Sequence, residues 1–549
     1  MRKFYLIPMA LGALTLASCS DTIYDEPVQE EYSKDFISKF GKIDAEQDWN
    51  VVEQKSVTVN PGSASEVQIY AKNGIAYKLV GDYKGLSGQQ ALTFDAAKTC
   101  DEFVVVAGGK GQVVNNGGSV NFGIASRSYQ DNVANVFEKH SSYTEFTWAE
   151  VEEVFADRLP EGKDNRYAEN SASNFDAIVT SDRTINVYPV YWNADYDHQL
   201  GIYWYDENGN KHEQLVYTDK ENGDDDVQVY VRRWGERGYE PVTWNQFAEP
   251  NVFSSVDKNY PIRSTGFTIK LPVGTRFGFY IVSEGNTFYS STRLNNYNTR
   301  QAIYTRVLNE ETGLNRTYLG FEDMSTRIVG RNGSDGDMND FILILDPAPL
   351  IIDQDAQSWI LAAEDLGATG DYDFNDVVFS VEHVAGSETA TVTPLAAGGT
   401  LPAYITLNNV KLGPDGRQEI HEWIGINGQK APSGFQYPML NTETPGTPGE
   451  SVTVQVSPAF SLAYNSGPEN MGGFSVLIED DTPREVIAPG KGEAPQIICV
   501  PGTWKWPKEK IDIWDVYPQF KEFGEGYQEG LFWYNHPATG AEVISQTQE

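Results

Sequence analysis

The chain has 549 residues, which is too long for one ordinary hydrophobic core and favours several domains. Its 50 Gly and 27 Pro residues suit the many turns of β-rich modules. A formal net charge of −37 argues against nucleic acid as a partner, because such binding depends on Lys and Arg that neutralise phosphates.

The first residues predict a bacterial lipoprotein signal peptide over residues 1–18. A positive start at Arg2 and Lys3 precedes an apolar run that ends in Leu-Ala-Ser-Cys at residues 16–19. This tetrapeptide resembles a lipobox, so Cys19 is the predicted lipidation site, and several acyl chains on it would make a stable membrane anchor. The alternative is an ordinary signal peptide with an incidental Cys. The other two cysteines, Cys100 and Cys499, are expected to be free and buried.

Alternating apolar residues and turn signals divide the mature chain into β units and connectors. The predicted fold class is all-β and multidomain, with β-sandwich or jelly-roll-like modules and short helical connectors. The predicted segments are a lipidated Cys with an acidic tether and a short helix at 19–50, a small immunoglobulin-like β-sandwich at 51–123, a mixed connector with a helix at 124–182, a middle β-sandwich at 183–346 and a C-terminal β domain at 347–549.

One acidic phrase occurs twice in the chain. The first copy has Glu-Asp at 322–323 and Asp-Gly-Asp-Met-Asn-Asp at 335–340, followed by an apolar run. The second has Glu-Asp at 364–365 and Asp-Tyr-Asp-Phe-Asn-Asp at 371–376, followed by another apolar run. Hard oxygen ligands that alternate in a tight loop suit calcium, so each copy predicts a calcium site.

The loops resemble the start of an EF-hand loop, but its sixth position holds Asp340 or Asp376 instead of Gly. The carboxylates at position twelve, Asp346 and Glu382, would be carried about 20 Å away by a strand. The missing carboxylate would come from the Glu-Asp pair if the strand before it lies beside the strand after the loop. The predicted ligands are Glu322, Asp335, Asp337, Asn339 and Asp340 at one site, and Glu364, Asp371, Asp373, Asn375 and Asp376 at the other.

Repulsion supplies a second argument for a cation at each loop. Three or four carboxylates within about 5 Å of one another must take up protons or bind a cation. Calcium is favoured over magnesium, which prefers to keep several waters. The alternative is that the Asp and Asn side chains only form Asx turns ahead of a strand.

Several stretches resemble known families. Residues 358–534, with Trp-Ile-Leu-Ala-Ala-Glu-Asp-Leu from 359, Glu-Ile-His-Glu from 419 and the Trp-rich segment 504–517, resemble the LruC-type domain, also called domain of unknown function 4842. Residues 267–345 resemble the related domain of unknown function 4114. The phrase at 40–49 is similar to the N-terminal phrase of Bacteroidales lipoproteins. These resemblances imply an outer-membrane lipoprotein, periplasm-facing or exposed at the cell surface, with calcium sites and no agreed activity.

The residues leave three functional classes open. The first is a structural or adhesive cell-envelope protein, anchored in the membrane by Cys19, with a possible surface protein as partner. The second is a glycan-binding lipoprotein in which exposed rings stack on sugars; the candidate rings are Trp192, Trp204, Trp504 and Trp506. Aromatic residues in strands are more often core, which is the alternative for these four. A hydrolase ranks lowest, because the chain has no catalytic motif and its six His show no metal-binding spacing. We therefore expect no enzyme.

Overall fold

The computed structural model describes residues 26–123, 136–147, 150–151, 171–180, 184–192, 198–217, 228–243, 256–257, 260–309, 314–327, 334, 336, 338–365, 371–426 and 430–544. The protein is all-β with several separate sheets, 45% strand and 11% helix, which confirms the predicted fold class. Among the described helices, none combines the length and the apolar character needed to cross a bilayer.

The first part of the chain is one helix and seven strands. They are α1 (Glu26–Phe40), β1 (Val52–Asn60), β2 (Glu66–Asn73), β3 (Ala76–Lys84), β4 (Gln90–Ala97), β5 (Glu102–Ala107), β6 (Lys110–Asn115) and β7 (Ser119–Asn121). A small sheet in the order β4-β1-β7 packs against β2, β3 and β5 through a shared core that includes Val59, Val67 and Phe103. The predicted sandwich character of this unit is therefore present.

The middle part contributes fourteen of the described strands. They are β8 (Phe137–Phe146), β9 (Ser171–Ala172), β10 (Phe175–Ile178), β11 (Asn186–Trp192), β12 (His198–Tyr205), β13 (Lys211–Tyr217), β14 (Gln228–Val231), β15 (Glu240–Thr243), β16 (Ile262–Ile269), β17 (Arg276–Ser283), β18 (Asn286–Tyr289), β19 (Ala302–Asn309), β20 (Leu314–Phe321) and β21 (Phe341–Asp346). Nine of them form one sheet in the order β15-β14-β16-β11-β21-β20-β19-β9, with β8 paired to β16.

The C-terminal part contains twelve described strands and three short described α-helices, besides the 3-10 helices Asn470–Gly473 and Gln528–Asn535. They are β22 (Leu350–Ala356), β23 (Ser358–Ala363), β24 (Val377–His383), β25 (Thr389–Ala396), β26 (Ala403–Leu407), β27 (Val410–Lys411), α2 (Ile420–Ile424), β28 (Val452–Gln455), β29 (Phe474–Ile478), β30 (Arg484–Ile487), β31 (Ile497–Pro501), β32 (Trp506–Pro507), α3 (Ile513–Val516), α4 (Gln519–Gly524) and β33 (Val543–Ile544). Sheets in the orders β28-β25-β24-β23-β31 and β27-β26-β29-β30 enclose a core that includes Phe379, Trp423 and Phe474.

A ten-stranded sheet runs across the predicted segment boundaries. Its order is β13-β12-β17-β10-β22-β3-β2-β5-β6, with β18 paired to β17. Near the middle of this sheet, β22 and β3 are parallel, and Ile352 lies opposite Tyr77. Strands from the segments 51–123, 124–182, 183–346 and 347–549 therefore share one hydrogen-bonded layer, while the segment boundaries themselves stay predictions.

Helix α1 begins earlier than the sequence predicted. The sequence predicts an acidic tether over residues 20–34, then a short helix with Phe36, Ile37 and Phe40 on one side that ends near Gly41. The observed helix starts at Glu26, inside that tether, and ends before Gly41, whose φ is 109°. Phe36 and Phe40 are buried in the C-terminal core, but Ile37 is 48% exposed, so its predicted place on the same side is wrong. One helical residue turns about 100°, so the residue after Phe36 points away from the core.

Candidate metal centres

The two acidic loops each join a pair of antiparallel strands. β20 pairs with β21 so that Phe321 lies opposite Phe341. β23 pairs with β24 so that Ala363 lies opposite Val377. Each Glu-Asp pair is therefore held beside the last Asp of its loop, which confirms the predicted pairing of the strands before and after the loops.

The same hydrogen bond closes both loops. The backbone N–H of Asp323 donates to Oδ2 of Asp340 at 2.8 Å. In the second loop, the N–H of Asp365 donates to Oδ2 of Asp376 at 2.7 Å. The second residue of the Glu-Asp pair thus fixes the orientation of the final loop carboxylate in each copy.

The glutamates are held by a second repeated hydrogen bond. The N–H of Met338 donates to Oε2 of Glu322 at 3.1 Å, and the N–H of Phe374 donates to Oε1 of Glu364 at 2.6 Å. Both glutamates are almost fully buried, with exposures of 1% and 2%. Both carboxylates are therefore directed into their loops, away from solvent.

The backbone conformations of the loops also match. Gly336 and Met338 have φ angles of 78° and 57°, while Tyr372 and Phe374, at the equivalent positions, have 44° and 54°. Positive φ is uncommon outside Gly and costs conformational energy. Two loops of different length that share closing hydrogen bonds and this backbone pattern have one common local structure.

The first cluster brings together Glu322, Asp323 and Asp340, whose carboxylate oxygens lie within 4.8 Å of one another. Burial, with the neighbouring charges of Glu322 and Asp323, raises the pKa of Asp340 to about 10. His198 lies beside them, with Nε2 3.0 Å from Oδ2 of Asp323. A group of this kind stays protonated or binds a cation.

Two of the predicted ligands in this copy, Asp335 and Asp337, lie outside the described residues. Asn339 is half-buried in the same loop, next to Asp340. Asp323 was not among the predicted ligands, although it belongs to the repeated Glu-Asp phrase.

The second cluster contains Asp371, Asp373 and Glu509, whose carboxylate oxygens also lie within 4.8 Å of one another. Burial and the charges of Asp371 and Glu509 raise the pKa of Asp373 well above its usual range. Burial, with Asp371 nearby, raises the pKa of Glu509 to about 7. The repulsion expected from the sequence is thus present among these carboxylates.

Glu364 and Asp376 extend this acidic group. Burial and the charges of Asp373 and Asp371 raise the pKa of Glu364 well above its ordinary value. Burial and the charges of Asp365 and Glu364 do the same for the pKa of Asp376. The predicted set Glu364, Asp371, Asp373 and Asp376 is therefore electrostatically one group.

Asx-type bonds are present in the second loop. Oδ1 of Asp373 accepts from the N–H of Asn375 at 3.1 Å, and Oδ2 accepts from the N–H of Lys510 at 2.8 Å. These bonds orient the carboxylate and use one lone pair of each oxygen, and each oxygen has a second lone pair for a cation. The Asx-turn alternative therefore explains some of the hydrogen bonds in the loop. It does not explain why several carboxylates lie close together there.

Two side-chain oxygens at this cluster are buried without a hydrogen-bond partner in the described part of the chain, Oδ1 of Asn375 and Oε2 of Glu509. They border the same residue: a β-carbon on Gly398 would lie 2.1 Å from the first and 2.9 Å from the second. Asn375 is fully buried, and its amide nitrogen donates to the carbonyl of Pro507 at 3.1 Å. A buried unpaired oxygen is costly, and oxygens of this kind are suitable ligands for a hard cation such as calcium.

The glycines beside this cluster are supported by His421. Its Nε2 lies 2.8 Å from the carbonyl of Gly399, and its Nδ1 lies 2.7 Å from Oε1 of Glu419. Glu419 also caps α2 by accepting from the N–H groups of His421 and Glu422. The histidine is fully buried and stacks on Tyr437, so its role here is to position the loop.

Glu509 was missed by the sequence reasoning. It follows β32, far from the repeated phrase, and no spacing rule links it to Asp371 or Asp373. The signal that could have found it is weak: an acid between two lysines in a Trp-rich segment.

The candidate glycan-stacking rings that the structure describes do not form an exposed platform. Trp504 and Trp506 have exposures of 2% and 1%, and Nε1 of Trp506 donates to the carbonyl of Asn441 at 2.9 Å. These two predictions are corrected, because rings in the core cannot stack on a sugar. Trp204 is half-buried and lies against the ring of His212 at 5.6 Å. The side chain of Trp192 lies outside what the structure describes.

Two of the three cysteines lie within the described residues. Cys100 and Cys499 are free and buried, as predicted. The predicted lipidation site, Cys19, lies outside the described residues.

Comparison with known families finds one match. Residues 489–534 match the family model for the domain of unknown function DUF4842. The match supports the predicted resemblance over this C-terminal segment, which contains Glu509, α3 and α4. A search of curated proteins and a search of solved structures both give no match. The chain is therefore similar to that uncharacterised domain over less than half of its length.

Proposed function

We propose that this chain is a lipid-anchored cell-envelope protein whose β domains bind two calcium ions, one at each acidic loop, and serve a structural or adhesive role. The observation that carries the proposal is the repeated loop geometry, with buried carboxylates in both copies and unpaired oxygens at the second. An isolated acidic cluster is common on protein surfaces, but here Glu322 and Glu364 are buried, and each accepts an equivalent backbone hydrogen bond that directs its carboxylate inward. The other carboxylates of the two clusters are buried or half-buried.

Charge and ligand type favour calcium as the cation. Calcium takes about six to eight oxygen ligands from carboxylates, amide oxygens and backbone carbonyls. The second cluster offers oxygens of Asp371, Asp373 and Asn375 from the loop and of Glu509 after β32, with no sulfur and no imidazole among its described residues. Raised pKa values mean that some of these carboxyl groups hold protons when no ion is bound. In our proposal the bound ion takes the place of those protons.

The proposed role of the second ion is to join separate parts of the chain. Asp371 and Asp373 belong to the loop before β24, whereas Glu509 follows β32 in the segment that matches the DUF4842 model. A cation bound by all three carboxylates would link that segment to the loop. Because such a site exists only in the folded state, binding would increase the free energy of unfolding. The first ion would act on the β20–β21 hairpin and, through the contact of Asp323 with His198, on β12.

The envelope location rests on sequence features. The lipobox-like residues 16–19 support a lipid anchor, and the phrase at 40–49 supports a Bacteroidales-type lipoprotein. We also propose that residues 358–534 form an LruC-type domain and residues 267–345 a domain of the 4114 type. Replacement of Cys19 by Ser should move the protein from the detergent phase to the aqueous phase in a partition assay. Unchanged partition would remove the anchor from the proposal.

Calorimetric titration of the full chain with calcium chloride tests the metal sites. We expect two ions for the parent, one for Asp340→Asn and one for Asp373→Asn, with a higher melting temperature when calcium is present. Asp415→Asn is the matched control, because Asp415 is exposed and lies outside both clusters. Absence of heat and of a melting shift at millimolar calcium would refute the two sites.

A further inference from the structure

The second acidic loop is in contact with α1, the first helix of the described residues, through Tyr372. The Tyr372 ring lies 5.5 Å from that of Tyr32 and 5.1 Å from that of Phe36, both on α1. Its hydroxyl donates to Oδ2 of Asp35 at 2.8 Å, and the ammonium of Lys39 lies 4.9 Å from its ring centroid. Four positions of α1 therefore meet one loop residue.

Tyr372 stands between two candidate ligands, Asp371 and Asp373. Its φ of 44° is unfavourable for an aromatic residue, and the equivalent residue of the first loop is Gly336, with a φ of 78°. A strained non-Gly residue persists where surrounding contacts hold it in place. Here those contacts are with α1 and with α3, because the Tyr372 ring also lies 5.6 Å from that of Trp514 and its carbonyl accepts from the N–H of Ile513 at 2.9 Å. The second loop thus carries a side chain that the first loop lacks at the equivalent position.

The remaining contacts of α1 also lead to the segment that supplies Glu509. The Tyr32 hydroxyl donates to the carbonyl of Pro495 at 2.6 Å. Phe36 and Phe40 each lie 5.7 Å from the ring of Trp514 in α3. The helix thus rests on both pieces of chain whose carboxylates meet in the second cluster.

We propose that cation binding at the second loop and docking of α1 are thermodynamically linked, with Tyr372 as the connecting residue; this rests on the proposed calcium site. A cation that fixes Asp371 and Asp373 also fixes the backbone between them, and with it the ring on which α1 packs. Linkage is reciprocal, so a docked helix favours the loop conformation that binds the ion. Removal of calcium would loosen α1, the first described element after the predicted lipid tether.

The first loop provides an internal control, because Gly336 has no side chain to reach another element. An ion at that site should stabilise its own hairpin and leave α1 unaffected. The linkage therefore belongs to one site of the pair, and the two sites can be separated by substitution.

Hydrogen exchange of the backbone amides in residues 28–40, measured on the full chain with and without calcium chloride, tests the linkage. We expect exchange to slow at least about fivefold with calcium, the lower end of usual coupling free energies. Asp340→Asn should respond like the parent, and Asp373→Asn should not respond. Tyr372→Gly keeps a residue suited to positive φ and removes the ring, so it should bind two ions while its α1 exchange ignores calcium.

Calorimetry on the same samples separates the two ideas. If two ions bind and exchange in α1 is unchanged, the linkage is wrong and the calcium sites stand. If Tyr372→Gly still shows slower exchange with calcium, Tyr372 is not the connection and the proposal fails in that form. If the parent releases no binding heat, both the calcium sites and the linkage are wrong.

Discussion

The Tyr372 hydroxyl donates a 2.8 Å hydrogen bond to Asp35, a residue 337 positions earlier in the chain. This bond lowers the pKa of Asp35, with a smaller contribution from Lys39 on the next turn of α1. Asp35 is half exposed, so the bond itself adds little free energy, and the buried rings around it carry the contact. The attachment of α1 at Tyr372 therefore depends mainly on aromatic packing, with the Tyr372–Asp35 hydrogen bond as a minor contribution.

Phe36→Ala should destabilise the protein by about 3–5 kcal/mol, the usual cost of removing a buried aromatic ring. Phe36 is fully buried and contacts the rings of Trp49, Tyr372 and Trp514. Ile37→Ala on the exposed side of the same helix should change stability by less than about 0.5 kcal/mol. Urea unfolding followed by tryptophan fluorescence measures both; equal effects would show that α1 is not packed as described.

Gly398→Ala should weaken calcium binding at the second site by at least about tenfold, as changes around metal ligands commonly do. The new methyl group would lie 2.1 Å from Oδ1 of Asn375 and 2.9 Å from Oε2 of Glu509, so both oxygens must move. Gly399→Ala is the matched control, because its nearest neighbours, Oδ2 of Asp365 and Cβ of Asp376, would both be at an ordinary contact distance of 3.4 Å.

Calorimetry of these two glycine variants in an Asp340→Asn background reads the second site alone. Melting curves without calcium show whether each variant still folds. Equal calcium affinity in folded Gly398→Ala and Gly399→Ala would argue against Asn375 and Glu509 as ligands.

Asp95 should make the stability of the protein fall as pH rises from about 4 to 6. Burial raises the pKa of Asp95 to about 6, above the value of the unfolded chain, so the folded state holds a proton that the unfolded state has lost. The contribution is complete below the unfolded pKa and is lost as pH passes through the folded value, on the order of 3 kcal/mol.

The test for Asp95 is the pH dependence of the unfolding free energy in Asp95→Asn. An amide can still accept from the N–H of Leu462 and can donate to the Ser461 hydroxyl, the two present partners of Asp95. The variant should therefore keep its fold and lose this part of the decline between pH 4 and 6. A pH profile parallel to that of the parent would contradict the assignment.

Neither Cys100 nor Cys499 should react with a thiol reagent while the protein is folded. Both are free and buried, and burial raises the pKa of each thiol, which lowers the fraction of reactive thiolate. Labelling of a Cys19→Ser chain with dithionitrobenzoate at pH 8, before and after denaturation, checks this. Fast reaction of the native protein would show that these cysteines are accessible.

The sequence was sufficient to predict the hairpin form of both acidic sites. A Glu-Asp pair after one apolar run and an Asp before the next place their carboxylates together once the two runs pair, as Phe321 and Phe341 do. Strand pairing between close neighbours is local, and local patterns are what a single sequence expresses best.

Glu509 could not be predicted by the same reasoning. It reaches Asp371 and Asp373 only because the segment after β31 folds back over the loop, and such a return follows from packing of the whole core. The burial of Trp504 and Trp506 could not be predicted for the same reason. An aromatic-rich segment is compatible with an exposed surface or with a buried core, and only its neighbours in the fold decide between them.

The ten-stranded sheet was also beyond the sequence patterns. Each strand in it has ordinary strand character, but the parallel pairing of β22 with β3 joins residues 275 positions apart, as Ile352 and Tyr77 are. Strand propensity carries no information about a pairing partner at that distance. Turns and linkers were used to predict the segment boundaries, and these boundaries place strands of this one sheet in different segments.

The placement of α1 against the last part of the chain has a consequence for the order of folding. Nε1 of Trp49 donates to the carbonyl of Glu493 at 2.7 Å, and its ring lies 5.2 Å from that of Phe520. Synthesis delivers the N-terminus first, so these early residues have no surface to pack against until nearly all of the chain has emerged. The contacts have very high sequence separation and close slowly. α1 is the first described helix, and its Phe40 ring also lies 6.0 Å from that of Phe520. It is therefore among the last of the described elements to reach its native position.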